Sequence, residues 1–350
     1  MDSGILDEAY ERLHFAGPEW GGNLSNHGPM AAEVLVRRGH GARVPRWVDA
    51  YLQRLDDLPA PSDAITDENW PAALGDFRRV GDWTRYFVGQ VEQAPWRDVL
   101  ITWWPRLLDG IAAGATHSVI RVGHVVRMLL AGDESPPAVT ELAYALAYWA
   151  ARSRGVPGVV APTGLADPAA ALERVPRLAD QSGPIAGRLD RLGELPGWPA
   201  SVAALRRVDD PDDAQRLLSE LVTAATLRYL THGHASPVLL VHAATAPNAV
   251  LHTLPALPRE LWVASVVASW AASAAVTAAY GPAVGKPRAE LPVAPDGAHA
   301  VPNALERAAA HGDEHVIKFT DTAAEVYERT GELEALAAIE RVHQLIAPET

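Results

Sequence analysis

Thirteen histidines in a chain of 350 residues are more than a hydrophobic core needs. Four groups of them stand at spacings that bring imidazoles together with other polar side chains. Near the C-terminus, His311-Gly-Asp313-Glu314-His315-Val-Ile-Lys318 reads as one helical face, where i to i+4 sets two imidazoles side by side and i to i+3 adds a lysine. Neutral imidazole suits iron, zinc and copper, and Asp313 or Glu314 can hold a ring N–H from behind. An exposed charged face has the same pattern. In Thr116-His117-Ser-Val-Ile-Arg121-Val-Gly-His124, His117, Arg121 and His124 share one stripe of an otherwise apolar helix. The two imidazoles are about 10 Å apart along the axis, which favours one ligand plus one acid–base or supporting histidine. The Arg121 fork is suited to orient a phenolate or an oxyanion, and a satisfied core network is the alternative.

Val241-His242-Ala-Ala-Thr245-Ala-Pro247 puts a lone histidine in an apolar helix ending against a proline, a pattern that also fits a core histidine bonded to a carbonyl. Ser25-Asn26-His27-Gly-Pro29 sets His27 in a first helical turn, where the dipole favours the neutral, ligand-competent ring. Thr231-His232-Gly-His234 reads as loop beside a helix end. Eleven tryptophans, Trp103, Trp104, Trp149, Trp262 and Trp270 among them, offer flat walls for an aromatic ligand or ordinary core bulk. A competing motif, Asp209-Asp210-Pro211-Asp212-Asp213, matches the DDxxD magnesium site of all-α terpene synthases. Pro211 at a first turn with Asp209 or Asp210 capping it is the simpler account. Walker A, HExxH, HD and GxSxG patterns are absent from the sequence, which argues against a phosphohydrolase, a zincin or an α/β-hydrolase.

The elements that must position these residues are helical. Apolar residues recur at three- and four-residue spacing with no sustained two-residue alternation, so the class is all-α, a large irregular multi-helix bundle. Asn26 is the expected cap of a helix through MAAEVLVRRG that stops near Gly39, and Pro45 opens the next. Further helices are predicted over 75–93, 96–113, 115–131, 138–153, 212–231, 236–245, 259–279 and 302–347, the last broken near Gly331. The stretch 155–199 is rich in Pro and Gly, a candidate junction of two helical lobes around a central pocket within one domain, 1–350.

Composition narrows the chemistry further. With no cysteine, there is no disulfide, thiolate metal site or cysteine nucleophile; any metal must sit on histidine, carboxylate or a lysine-derived oxygen. A formal charge of −13 disfavours nucleic-acid and anionic-membrane partners. The N-terminus reads as an acidic amphipathic helix without a signal-peptide pattern, which predicts a cytoplasmic address. Residues 261–280 are uncharged and about long enough to span a bilayer, but their Ala and Ser content predicts a helix packed on all sides.

Taken together, Asn26-His27-Gly-Pro29, Gly114-Ala-Thr-His117-Ser-Val-Ile-Arg121-Val-Gly-His124, Val241-His242-Ala-Ala-Thr245-Ala-Pro247 and Asp313-Glu-His315-Val-Ile-Lys318 resemble the questin oxidase family in order and setting, over nearly the whole chain. The resemblance implies an oxygenase of polycyclic aromatic polyketides that opens or oxygenates an anthraquinone-type ring without flavin, with NADPH assisting a Baeyer–Villiger-type oxidation. It implies Fe(II) held by His27, His117, His242, His315 and a carbamylated Lys318, as in at least one relative; other relatives work without metal or cofactor. Where fungal relatives carry a second histidine four residues after the first, this chain has Arg121, whose charge opposes a nearby cation.

Two routes to dioxygen follow. Histidine-bound Fe(II) activates it beside a phenolic ring, or a base, His124 or His27, deprotonates an electron-rich anthrol or hydroquinone while Arg121 stabilises the anion. A non-catalytic protein that sequesters an aromatic metabolite would use the same pocket. A homodimer is compatible with either reading.

Overall fold

The computed structural model describes residues 3–295 and 297–348. Its contacts group into two units: the chain up to Gly155 with His252–Leu261, and Val156–Leu251 with Trp262 onward. Both are helical, as the spacing of apolar residues predicts.

In the first unit, helix Pro136–Arg152 is the centre, packed against by helices Val80–Gln93, His117–Leu130 and Ser3–His14, while Gly28–Arg37 lies on Ser3–His14 and His117–Leu130. Trp103, Trp104 and Trp149 are fully buried. Trp104 meets Trp149 edge to face at 5.3 Å, and the Trp149 indole donates to the Gly110 carbonyl at 3.1 Å; these rings are core rather than exposed walls. A two-stranded hairpin, Glu19–Trp20 with Leu24–Ser25, turns through Gly21 and Gly22 at positive φ and delivers Ser25, Asn26 and His27 to the head of helix Gly28–Arg37. The cap position there is His27, not Asn26, although the Asn26 carboxamide oxygen accepts from the Gly28 N–H at 2.9 Å.

In the second unit, helix Pro211–His232 runs against Trp262–Tyr280, Glu314–Thr330 and Leu333–Leu345. Arg259–Tyr280 is the one stretch among the described residues apolar and long enough to cross a membrane, and most of it is buried. Small side chains make this possible, since serine and threonine hydroxyls turn back onto carbonyls: Ser269 onto Ser265 and Thr277 onto Ser273. Trp270 is buried with its indole donating to the Val202 carbonyl at 2.8 Å.

Several expected boundaries move, each for a local reason. Residues 302–347 break twice, not once: Gly312 adopts φ 85° after helix Ala300–His311, and Asp313 then caps Glu314–Thr330 by accepting from the His315 and Val316 N–H groups. The second break, at Gly331, falls where expected. The helix expected over 236–245 is a short turn, Pro237–Leu240, followed by His242–Thr253, so His242 opens a helix and Pro247 lies inside it. Proline at 247 has no N–H for the Ala243 carbonyl; the Ser273 hydroxyl supplies the missing donor at 2.8 Å.

The aspartate run is a cap. The Asp210 carboxylate accepts from the N–H groups of Asp212 and Asp213 at 2.9 and 3.2 Å, while Asp209 and Asp213 pair with Arg207 and Arg216. Asp210→Ala is expected to lower stability by about 1 kcal/mol in urea unfolding and to leave turnover unchanged.

Candidate functional site

Each unit carries its own buried set of histidines. In the first, His27 and His117 stack with ring centroids 4.3 Å apart and planes 18° from parallel. His117 opens helix His117–Leu130 after an unusual turn in which Gly114, Ala115 and Thr116 all have positive φ, 53°, 55° and 74°. Ala and Thr rarely adopt this region, at a cost of about 1–3 kcal/mol each. The turn aims the Gly114 carbonyl at His117 Nδ1, which fixes the proton there and makes Nε2 the lone-pair nitrogen. Gly114 is required twice, by its φ and because a Cβ would stand 2.6 Å from the Tyr148 hydroxyl. That hydroxyl lies 2.7 Å from Ser25 Oγ and donates to Glu19 at 3.0 Å, and Arg152 holds the same carboxylate with two bonds. The His27 N–H donates to the Tyr51 hydroxyl oxygen at 2.7 Å. The positions of both histidines are thus set by a chain of buried hydrogen bonds.

Behind them lies a ladder of buried charge. Arg121 gives Nε and a terminal nitrogen to Glu141 at 2.5 and 2.7 Å, and His14 adds a third contact at 2.9 Å. The arginine expected to orient a substrate oxyanion therefore spends its fork on a carboxylate, and its charge is cancelled. Burial alone would raise Glu141, but the Arg121 charge and hydrogen bonds carry it below the ordinary range. His124 Nδ1 stands 2.7 Å from Glu33 Oε2, with Arg127 and Arg37 on the same group. Arg127 Nη2 is also 3.0 Å from Nδ1; with the carboxylate oxygen closer, Nδ1 carries the proton. Burial pushes Glu33 up, yet Arg127 and His124 bring it down to about 2.

In the second unit, His242 and His315 meet edge to face at 5.7 Å. His242 Nδ1 donates to the Leu239 carbonyl at 3.0 Å. Lys318, one turn on from His315, is 1% exposed, and its amine has no hydrogen-bond partner among the described residues. Burial lowers the amine to about 8, against the pull of Glu314 and Asp313. Burial, then the charges of Lys318 and His315, drives His242 well below the ordinary imidazole range. Asp313, Glu314 and His315 have ligand atoms within 4.8 Å of one another. His311, expected to sit beside His315, does not: the Gly312 break turns it to the Ile346 carbonyl at 3.0 Å and to the His343 ring.

The questin oxidase-like family model matches residues 33–322. The chain belongs to the questin oxidase-like family. No curated protein matches it. The family match takes in His117, Arg121, His124, His242, His315 and Lys318, and begins six residues after His27.

What sequence reasoning missed in this questin oxidase-like chain is the acidic half of the ladder, Glu33 and Glu141. The signal was present: each is a single carboxylate inside an apolar helical run, MAAEVLV and VTELAYALAYW, and a buried charge demands a partner.

Glu141→Gln leaves Arg121 buried with half its partner, and unfolding is expected to become easier by about 3–5 kcal/mol, with Glu141→Leu/Arg121→Met recovering most of the loss. Glu33 carries a sign as well. Its folded value of about 2 lies below its ordinary 4.5, so its stabilisation is complete above about pH 4.5 and is lost as pH falls toward 2. Urea titrations across that window should show a steep acid limb that Glu33→Gln flattens.

Proposed function

We propose that the chain is a flavin-independent oxygenase that oxidises a polycyclic aromatic polyketide of anthraquinone, anthrol or hydroquinone type with dioxygen, by ring oxygenation or Baeyer–Villiger-type ring opening. Family membership supports the class. The observation that carries the reading is the buried, unbonded amine of Lys318 beside His242 and His315. A fold keeps such a group in its interior at a cost, and active sites are where strongly shifted groups concentrate.

The residues fit the Fe(II) that the resemblance implies. His117 and His242 each direct Nδ1 to a backbone carbonyl, the arrangement that orients a ligating imidazole and fixes Nε2 as the donor nitrogen. A lysine amine near neutrality can take up carbon dioxide and become a carbamate oxygen donor. The residues that the resemblance assigns to the ion are His27 and His117 in the first unit and His242, His315 and Lys318 in the second. When bound, iron would supply the electron that triplet dioxygen needs to react with a closed-shell ring. The chain's own residues orient and protect. Arg121 enters as a charge offset by Glu141, which removes the repulsion that a lone cation would impose. Monooxygenation consumes two electrons beyond those of the new C–O bond, which NADPH or a hydroquinone substrate provides. The assignment is to a cytoplasmic enzyme whose partners are small molecules.

A second reading rests on a different observation. His124 is held through Nδ1 by the ionised Glu33, a dyad that orients the ring and leaves Nε2 as the nitrogen that can accept a proton. It would take the phenolic proton of an anthrol, with His27 as the other candidate base, and let the substrate anion itself reduce dioxygen without a metal.

Oxygen uptake with a reduced anthraquinone tests the proposal. The wild type should consume oxygen, and His117→Ala and His315→Ala, one from each unit, should each abolish it. Full activity in both would remove these histidines from the chemistry, and no uptake by the wild type would leave a metabolite-binding protein. Metal analysis with a chelator control separates the two routes.

A further inference from the structure

His242, His315 and Lys318 are buried, so dioxygen needs a way to them. Two cavities in the second unit share a wall. The outer, about 380 Å³, is lined by Ala169, Ala170, Leu172, Ala224 and Leu227 together with Glu173, Arg228, Thr231 and His232. The inner, about 20 Å³, is bounded by Ala225, Tyr229, Leu240, Ala243, Thr277 and Gly281, and again by Arg228 and His232. Neighbouring faces of helix Pro211–His232 look into each, and Arg228 and His232 belong to both.

The inner cavity has room for about one small molecule. Ala243, in its wall, follows His242 directly, and Tyr229 packs on Phe319, the residue after Lys318, at 4.3 Å between ring centroids. Its polar side chains are already satisfied within the protein. The Tyr229 hydroxyl donates to the Pro237 carbonyl at 3.1 Å, and Thr277 donates to the Ser273 carbonyl at 2.9 Å. Arg228 reaches outward to Glu173 and inward to His232 Nε2 at 3.1 Å, while His232 Nδ1 is 2.6 Å from Thr231 Oγ1. Since the arginine can only donate, Nε2 accepts and Nδ1–H points to Thr231, whose hydroxyl donates to the Arg228 carbonyl at 3.1 Å. The ring is therefore held neutral. Burial, with Arg228, lowers His232 to about 4. A water in the inner cavity would find few free partners, whereas a small apolar gas gives up none.

We propose that these two cavities form the dioxygen passage to the His242–Lys318 cluster, with the Arg228–His232 pair as the latch between them. The assignment rests on the oxygenase reading above. Blocking the passage should slow oxygen arrival without touching the aromatic substrate.

The test is xenon pressurisation of crystals of the full chain, combined with oxygen-dependence kinetics of Ala225→Leu and, should that variant fold poorly, of the smaller Ala225→Val. Expected are xenon in the inner cavity, its exclusion by the variant, and a KM for oxygen raised roughly fivefold while KM for the aromatic substrate stays unchanged. No xenon in the wild type, or an unchanged KM for oxygen in a variant that excludes xenon, overturns the passage and leaves the oxygenase reading standing. Xenon bound by a chain that consumes no oxygen overturns the passage together with that reading.

Discussion

An ionisable group taken out of water must be paired or must give up its charge, and the two units meet this constraint in opposite ways. The first pairs. Arg121 lies against Glu141, and Arg127, Arg37 and His124 surround Glu33, so helix His117–Leu130 is tied by charge to helices on either side. The second weakens its bases. Lys318 has carboxylates nearby in sequence, yet its amine is bonded to neither and its basicity falls, while His242 sheds its proton to the same burial. Paired charge suits a frame, since such pairs are costly to break once formed. A base weakened by burial suits chemistry, because it gives up its proton more readily and so exposes the lone pair that a metal, a proton or carbon dioxide can take up.

The frame also explains the strained turn at Gly114-Ala115-Thr116. Three left-handed residues in succession persist only where the surroundings over-determine them. Here the Tyr148 hydroxyl, held between Ser25 and Glu19, fills the space beside Gly114 and leaves the carbonyl facing His117 Nδ1. A hairpin, a helix start and a tyrosine from a third helix converge on one imidazole tautomer.

How much of this was legible in the sequence depends on the range of the interaction. Helix identity was, because a three- and four-residue rhythm is a local property; so was the cap at Asp210, which needs only a proline after it and two amides within reach. The character of helix Trp262–Tyr280 was legible from its small side chains. Positive φ was not: Gly312 looked like one more helical residue, and its left-handed turn separates His311 from His315. Pro247 looked like a helix stop because the hydroxyl that relieves it, Ser273, lies 26 positions further along. Likewise, Arg121 looked available for substrate until Glu141 stood beside it. The sequence showed which residues were chemically able; partners brought from other helices decided how each is used.

The most direct measurement is the mass of the oxidised product formed from an anthrol or hydroquinone under isotopically labelled dioxygen. The oxygenase account predicts that at least one oxygen atom of the product comes from the labelled gas. Product oxygen drawn entirely from water, or no oxidised product at all, would contradict it.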